Sequence, residues 1–158
     1  MLGRGTDKKI YSANDIYNEV GESCCLGLPF FHAFTGCDST SSFFEKSKKK
    51  LFEHWMKSEH TQDVTLAFQQ LRWLPTTETF GNNIDIIEQF VATLYCKDVA
   101  ELGHTRFEMI LLSANNDFRK LPPSRRSLEQ HVKRSSYQAG WVCRMRQHII
   151  LCRSPIKA

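Results

Sequence analysis

The apolar positions along this chain recur at helical spacing over most of its length. Two stretches show the pattern most clearly, with apolar residues every three or four positions: Val64, Ala67, Phe68 and Leu71, followed by Ile84, Ile87, Phe90 and Leu94. Such spacing places one side of each helix in a core. Only residues 8–11 offer a short edge strand. We therefore predict a mainly α fold of six or seven helices with at most a vestigial strand.

Capping and turn residues set the ends of the predicted helices. Ser12, Ser47 and Ser124 each precede a helical stretch, where a hydroxyl accepts a hydrogen bond from a free backbone N–H. Gly21 and Gly36 end the first two helices. The predicted helices cover residues 12–20, 26–34, 47–57, 61–74, 84–95, 101–112 and 124–150.

The second predicted helix, residues 26–34, is apolar on all sides, which is typical of a helix inside a core. Pro29 is compatible with this helix because it lies in the first turn. We interpret His32 as a neutral, hydrogen-bonded core histidine. One common core is expected to bury Phe34, Phe52, Trp55, Phe68, Phe90 and Leu128. In the sixth helix, the side chains expected to face inward are Phe107, Ile110 and Leu111.

The composition narrows the class of protein. The 158 residues are 41% hydrophobic and 24% charged, as in an ordinary globular domain. The longest apolar stretch, residues 24–34, is too short to span a bilayer, and the first residues lack the apolar core of a signal peptide. The six cysteines form no C-x-x-C pair, so we expect reduced thiols. We predict an intracellular protein of the nucleus or cytoplasm with no membrane partner.

The charge is distributed unevenly. Residues 119–158 hold ten lysines and arginines against one acid, Glu129, a net charge of +9. The first 118 residues hold 11 basic and 16 acidic side chains, a net charge of −5. This asymmetry favours an acidic partner for the C-terminal segment. The alternative is that the basic segment packs near the acidic part of the same chain.

The last predicted helix has two distinct faces. Its apolar face carries Leu128, Val132, Ala139 and Cys143, and the opposite face carries a basic stripe formed by Arg126, Lys133, Tyr137 and Arg144. Cations interrupted by one aromatic ring suit a nucleic-acid backbone, DNA or RNA, with a base stacked on the ring. An ordinary solvated helix face has the same pattern, and both interpretations stay open.

Two strings in the chain resemble those of a family of uncharacterised, multi-copy animal proteins. They are H-A-F-T-G-C-D-S-T-S at residues 32–41, and L-P-P at 121–123 continued by Leu128, His131, Arg134, Tyr137 and Gln138. The resemblance covers most of the chain and implies no activity.

A shorter stretch, residues 10–57, resembles the C-terminal part of PIN-like nuclease domains of the flap-endonuclease type. The residues that carry this resemblance are Gly36-Cys37-Asp38 after an apolar helix and the lysines at 46, 48, 49 and 50. The resemblance implies that Asp38 binds a divalent metal, Mg or Mn. It also implies that Lys46 and Lys48 lie in a hairpin that contacts DNA, with Lys49 and Lys50 on the same basic segment.

Two metal ions about 4 Å apart need several carboxylates, and Asp38 supplies one. A turn residue at the end of a helix, bonded to backbone amides, is the alternative role for Asp38. We identify no catalytic residue. A thiol nucleophile at Cys37 lacks an orienting acid, and His131 and Arg134 are expected to be packing and surface residues.

We divide the chain into a partial PIN/flap-endonuclease-like region at 1–60, a helical region at 61–118 and a basic C-terminal helix and tail at 119–158, or one compact domain. The expected function is that of a non-catalytic fragment of a nuclease-like protein with weak, non-specific nucleic-acid binding. One alternative is a helical protein-interaction module. Another is a metal-dependent nuclease completed by an upstream segment. The first two differ in whether the basic stripe is exposed and continuous with the lysines at 46–50.

Overall fold

The fold is mainly helical, as predicted. The computed structural model describes residues 12–73, 75–96, 101–112 and 117–152. This part forms seven α-helices: α1 (Ala13–Val20), α2 (Glu22–Phe34), α3 (Lys48–Lys57), α4 (Thr61–Leu71), α5 (Thr77–Tyr95), α6 (Leu102–Leu112) and α7 (Arg125–Cys152), with a 3₁₀ turn at Phe118–Lys120 before α7. No strand occurs among these residues, and the strand predicted at 8–11 lies outside them. None of the described helices is long and apolar enough to cross a membrane.

Hydroxyl side chains cap the helices where the sequence predicted them. The Ser12 hydroxyl accepts a hydrogen bond from the Asp15 amide at the start of α1. The Ser47 hydroxyl accepts one from the Lys50 amide at the start of α3. At the start of α7, the Ser124 hydroxyl accepts from the Ser127 amide at 3.3 Å. These bonds satisfy backbone donors that the first turn of a helix leaves free.

The core is a cluster of aromatic rings centred on Phe68 of α4. Trp55 of α3 meets the Phe68 ring at a centroid distance of 4.9 Å, and Phe30 of α2 does so at 5.4 Å. Five of the six predicted core residues are buried, and the sixth, Phe52, is partly buried against the cluster. Leu128 of α7 belongs to this same core. The three regions distinguished in the sequence therefore share one hydrophobic core.

Helix α2 starts four residues earlier than predicted, so the expectation that Pro29 lies in a first turn is wrong. Pro29 is inside the helix, where its ring has no N–H to offer the preceding turn. The carbonyl that loses its helix donor is that of Cys25, four residues earlier. Nearby carbonyls of α2 accept from other side chains: Gln69 of α4 donates to the Ser23 carbonyl at 2.7 Å, and Arg72, just after α4, donates to the Leu26 carbonyl at 3.3 Å. These two bonds join α2 to the end of α4.

Helix α5 starts seven residues before the predicted position, Ile84. Thr76 caps it by accepting from the Thr79 amide. Asn83, which belongs to a turn-like Gly-Asn-Asn run, is buried and donates to the Gln70 side chain at 2.8 Å. This bond to α4 stabilises a helix that the local composition alone does not favour.

The prediction that Phe107, Ile110 and Leu111 face inward on α6 is wrong. They are exposed by 60%, 44% and 68%, and α6 instead buries Leu102 and Thr105 in its first turn. The Leu102 amide donates to the Glu88 carboxylate of α5, which anchors that turn. Helix α6 therefore packs through its start and leaves an apolar face exposed.

Glu88 connects α5, α6 and α7 from a buried position. Its side chain is 9% exposed, accepts from the Leu102 amide and pairs with Arg125 at the start of α7. Arg125 also pairs with Asp85, whose side chain is 71% exposed. Glu88 and Asp85 pair with the same arginine but differ in burial. Replacing each in turn therefore shows how burial changes the contribution of a carboxylate to stability.

We expect Glu88→Ala to lower the free energy of unfolding by about 2 kcal/mol, because it leaves a buried amide and half-exposed Arg125 without their shared partner. Asp85→Ala is the control and should cost less than about 0.5 kcal/mol, since exposed ion pairs contribute little. Urea denaturation measures both. Equal losses in the two variants would contradict this role of Glu88.

Candidate nucleic-acid interface

The turn after α2 is closed and leaves room only for glycine at position 36. Gly36 has φ +102°, and a Cβ added there would lie 2.7 Å from the Ser42 Cβ. The Cys37 and Thr40 backbones exchange hydrogen bonds of 3.1 and 3.3 Å. The turn therefore brings the chain back so that residues 41–44 run beside the end of α2.

Asp38 lies at the exposed tip of this turn. Among the described residues, no group of three or more His, Cys, Asp or Glu side chains is placed to hold a metal ion. A two-metal site needs several carboxylates, so the donors around Asp38 do not fit the implied Mg or Mn. Metal binding by Asp38 stays a prediction from the resemblance.

Of the two histidines considered in the sequence, His131 lies where it was predicted to lie and His32 does not. His32 is exposed, which contradicts its interpretation as a core histidine, and its Nδ1 lies 3.3 Å from the Lys48 ammonium. His131 of α7 is the buried one, and its Nε2 donates to the Phe34 carbonyl at 2.8 Å. Burial lowers the pKa of His131, so the ring is neutral near pH 7. His131 is a packing residue, as predicted.

Cys37 is a partly exposed thiol held by two hydroxyls. Its Sγ lies 3.1 Å from Thr40 Oγ1 and 3.4 Å from Ser39 Oγ. Burial acts to raise the pKa of Cys37, but the hydrogen bonds to Ser39 and Thr40 lower it below its usual value. Ser39 is the hydroxyl that can donate to Cys37, because the Thr40 hydroxyl already donates to the Ala33 carbonyl at 2.5 Å.

Two of the four predicted DNA-contacting lysines are bound to the carboxyl ends of helices. Lys46 donates to the Leu94 carbonyl of α5 at 3.2 Å, and Lys48 donates to the His32 carbonyl of α2 at 2.9 Å. Lysines at these positions satisfy terminal carbonyls and interact favourably with the helix dipole. Lys49 and Lys50 are both exposed on α3, and Lys49 pairs there with Glu53 at 3.9 Å.

Lys46, Lys50 and Lys120 line one open groove together with Phe44 and Tyr95, and we call it the Tyr95 groove. Its volume is about 610 Å³. The Lys46 ammonium lies 4.6 Å from the centre of the Tyr95 ring. Burial, and after it the positive charge of Lys50, lowers the pKa of Lys46. Lys46 and Lys50 are therefore close enough to repel each other.

The sequence alone did not predict Lys120 as a binding residue, because its place in the fold depends on a contact with the distant helix α6. It belongs to the 3₁₀ turn that precedes Leu121-Pro122-Pro123. Arg106 of α6 donates to the Pro122 carbonyl, which ties this connection to α6. The cluster of basic residues from 119 onward was the only sequence signal that pointed to it.

The basic stripe of α7 is exposed at all four positions, Arg126, Lys133, Tyr137 and Arg144. The Lys133 ammonium lies 5.0 Å from the centre of the Phe80 ring, near the start of α5. Tyr95 is the last residue of α5, about 22 Å further along its axis. The Lys133 ammonium and the Tyr95 groove therefore lie toward opposite ends of α5.

Comparison of the chain with protein-family models, with curated proteins and with solved structures finds no match. The resemblances to the multi-copy animal family and to flap endonucleases stay predictions from short strings.

We expect Gly36→Ala to lower the free energy of unfolding by at least about 2 kcal/mol, because alanine is strained at this φ and its Cβ meets Ser42. Gly81→Ala is the control. Nothing lies within 4 Å of a Cβ at this position inside α5, so it should stabilise by about 0.5–1 kcal/mol. Thermal or urea denaturation gives both values, and a neutral Gly36→Ala would contradict the closed turn.

We expect no cleavage of DNA or RNA by the purified chain in magnesium or manganese, because one carboxylate does not offset the charge of two cations. Labelled strands incubated with each metal and separated by electrophoresis test this. Cleavage that disappears in Asp38→Ala would contradict the expectation and would point to carboxylates outside the described residues.

Proposed function

We propose that this chain binds the phosphate backbone of single-stranded DNA or RNA in the Tyr95 groove without cleaving it. One observation carries the proposal: three lysines from two segments that are far apart in sequence line the same groove. Lys46 precedes α3, Lys50 lies in its first turn, and Lys120 precedes α7.

Mutual repulsion in the groove favours an anionic ligand. Cations held near one another cost free energy, which a polyanion between them offsets. Glu45 is the acid that lines the groove, and its side chain is exposed. A strand that neutralises Lys50 and Lys120 releases its counterions, so its affinity falls as salt rises.

Aromatic side chains favour a single strand over a duplex. Phe44 is 39% exposed at the groove, and Tyr95 forms part of the same wall. An unpaired base stacks on such a ring, whereas a duplex keeps its bases inside. Lysine ammonium groups do not distinguish one base from another, so we expect little sequence preference.

The flap-endonuclease resemblance supports the same class of partner, since the lysines of the basic segment are assigned to nucleic-acid contact in that family. It assigns contact to Lys46 and Lys48. In the structure these two lysines bind helix carbonyls, and Lys50 with Lys120 offers the accessible charge. The proposed groove therefore keeps Lys46 and Lys50 of the predicted segment, adds Lys120 and leaves out Lys48.

The second candidate function is protein interaction through α6. Four apolar side chains along this helix are exposed by 44–83%: Phe107, Ile110, Leu111 and Leu112. A contiguous exposed apolar face often marks a protein-binding surface. Protein binding through α6 does not depend on the lysines of the Tyr95 groove. Changing those lysines therefore distinguishes this function from nucleic-acid binding.

We expect Lys50→Glu with Lys120→Glu to weaken binding of a 12-nucleotide strand at least tenfold and to make its salt dependence shallower, because two phosphate contacts are lost. Fluorescence anisotropy between 50 and 200 mM salt, about the range over which such contacts weaken, measures both. Circular dichroism confirms that the variant remains folded.

The matched control is Lys133→Glu with Arg144→Glu, which makes the same change of charge on the α7 stripe. Affinity should change much less than in the groove variant. Loss of binding in the stripe variant alone would move the interface to α7, and equal losses in both would show a general charge effect. Binding that does not depend on salt would contradict the proposal.

A further inference from the structure

A second cavity adjoins the Tyr95 groove and has a different chemistry. It lies between residues 41–44 and the start of α7, and its volume is about 290 Å³. It shares Phe44 and Tyr95 with the groove. We call this cavity the Arg134 pocket. Its polar lining comprises Ser41, Ser42, Arg119, Ser127, Arg134 and the buried His131.

The two arginines of the pocket are placed by different contacts. The Arg119 guanidinium lies 5.3 Å from the centre of the Phe44 ring and pairs with Asp117 through two bonds, of 2.9 and 3.1 Å. Arg134 is exposed on α7 and, among the described residues, forms no ion pair. The pKa of the adjacent His131 is lowered mainly by burial and, to a smaller extent, by the positive charge of Arg134.

The serines add hydroxyl groups to the same space. Ser41 and Ser42 are exposed at the mouth, and the closed turn at Gly36 fixes the Ser42 backbone. Ser127 lies in the first turn of α7, and its hydroxyl accepts from Ser124 at 3.0 Å, so its own proton remains available. Three hydroxyls beside the Arg134 guanidinium form a set of donors suited to phosphate oxygens. Arg119 lies next to them, but two of its N–H groups already donate to Asp117.

The absence of carboxylates separates this cavity from its neighbours. The described residues that line it include no Asp or Glu, and the carboxylate that binds Arg119, that of Asp117, lies outside this lining. The groove between α3 and α5 carries Glu53 and Glu59, and the Tyr95 groove carries Glu45. The volume lies at the small end of ligand sites, which suits one phosphate-bearing group. A small cavity with cationic and hydroxyl donors favours a compact anion.

We propose that the Arg134 pocket binds a phosphate monoester, the terminal phosphate of a strand lying in the Tyr95 groove or the phosphate of a free nucleotide. This inference builds on the proposed function, because it places the end of the strand beside the groove. A terminal phosphate carries up to two charges and three oxygens without an ester link, so it accepts more hydrogen bonds than a backbone phosphodiester.

The test compares 12-nucleotide strands of one sequence that carry a 5′-phosphate, a 3′-phosphate or hydroxyl groups at both ends. Fluorescence anisotropy with the full chain measures each affinity. We expect one phosphorylated end to bind at least fivefold more tightly than the hydroxyl strand. Arg134→Ala should remove this difference and leave the hydroxyl strand within about twofold. Arg126→Ala, an exposed arginine of the same helix outside the pocket, is the control and should keep the difference.

A second arm separates the two sources of the phosphate. Isothermal titration with adenosine 5′-monophosphate, adenosine and inorganic phosphate measures binding without a strand. The pocket is supported if the monophosphate binds, adenosine does not, and Arg134→Ala loses the monophosphate. If no strand binds in the same experiments, the pocket is assigned to free nucleotides. Equal affinity for all three strand ends together with no binding of the monophosphate would overturn the pocket and leave the Tyr95 groove standing. A phosphate effect that persists in Arg134→Ala would also overturn it.

Discussion

The burial of α2 between α4 and α7 is the contact on which the rest of the structure depends. Phe30 and Phe34 of α2 are fully buried, and both rings pack against Phe68 of α4. On its other side, the Phe34 carbonyl accepts from His131 of α7, almost a hundred residues later in the chain. Residues near both ends of the described chain thus meet at one helix. Gly27 permits the close approach, because a Cβ there would lie 3.1 Å from the Phe68 Cβ.

This contact also builds the candidate binding surface. Because the chain turns sharply at Gly36 just after α2, residues 41–44 come to lie against the start of α7. The 3₁₀ turn then places Arg119 over Phe44, and Lys120 comes near Lys46. Basic residues far apart in sequence therefore converge on one face. The core that fixes α2 and α7 determines the spacing of the cations.

The basic side chains divide into those that stabilise the fold and those that face solvent. Lys46, Lys48 and Arg125 bind carbonyls or carboxylates of other helices, and Lys133 packs over an aromatic ring. These side chains already use N–H groups or positive charge within the chain, so less of both is available to a ligand. Net charge alone overstates how many cations are available to a partner. Contacts within the chain, and not the number of lysines, therefore decide which positions can bind a strand.

The sequence by itself determined the helical class, most helix ends and five of the six expected core residues, because spacing and caps are local signals. It did not predict the exposed face of α6, since burial of Phe107 depends on which helix lies opposite. It also missed the early start of α5, which the bond from Asn83 to Gln70 supports. The convergence of Lys50, Lys120 and Arg134 was decided only by the tertiary structure. Residues remote in sequence share a surface only after the core has fixed the helices that carry them.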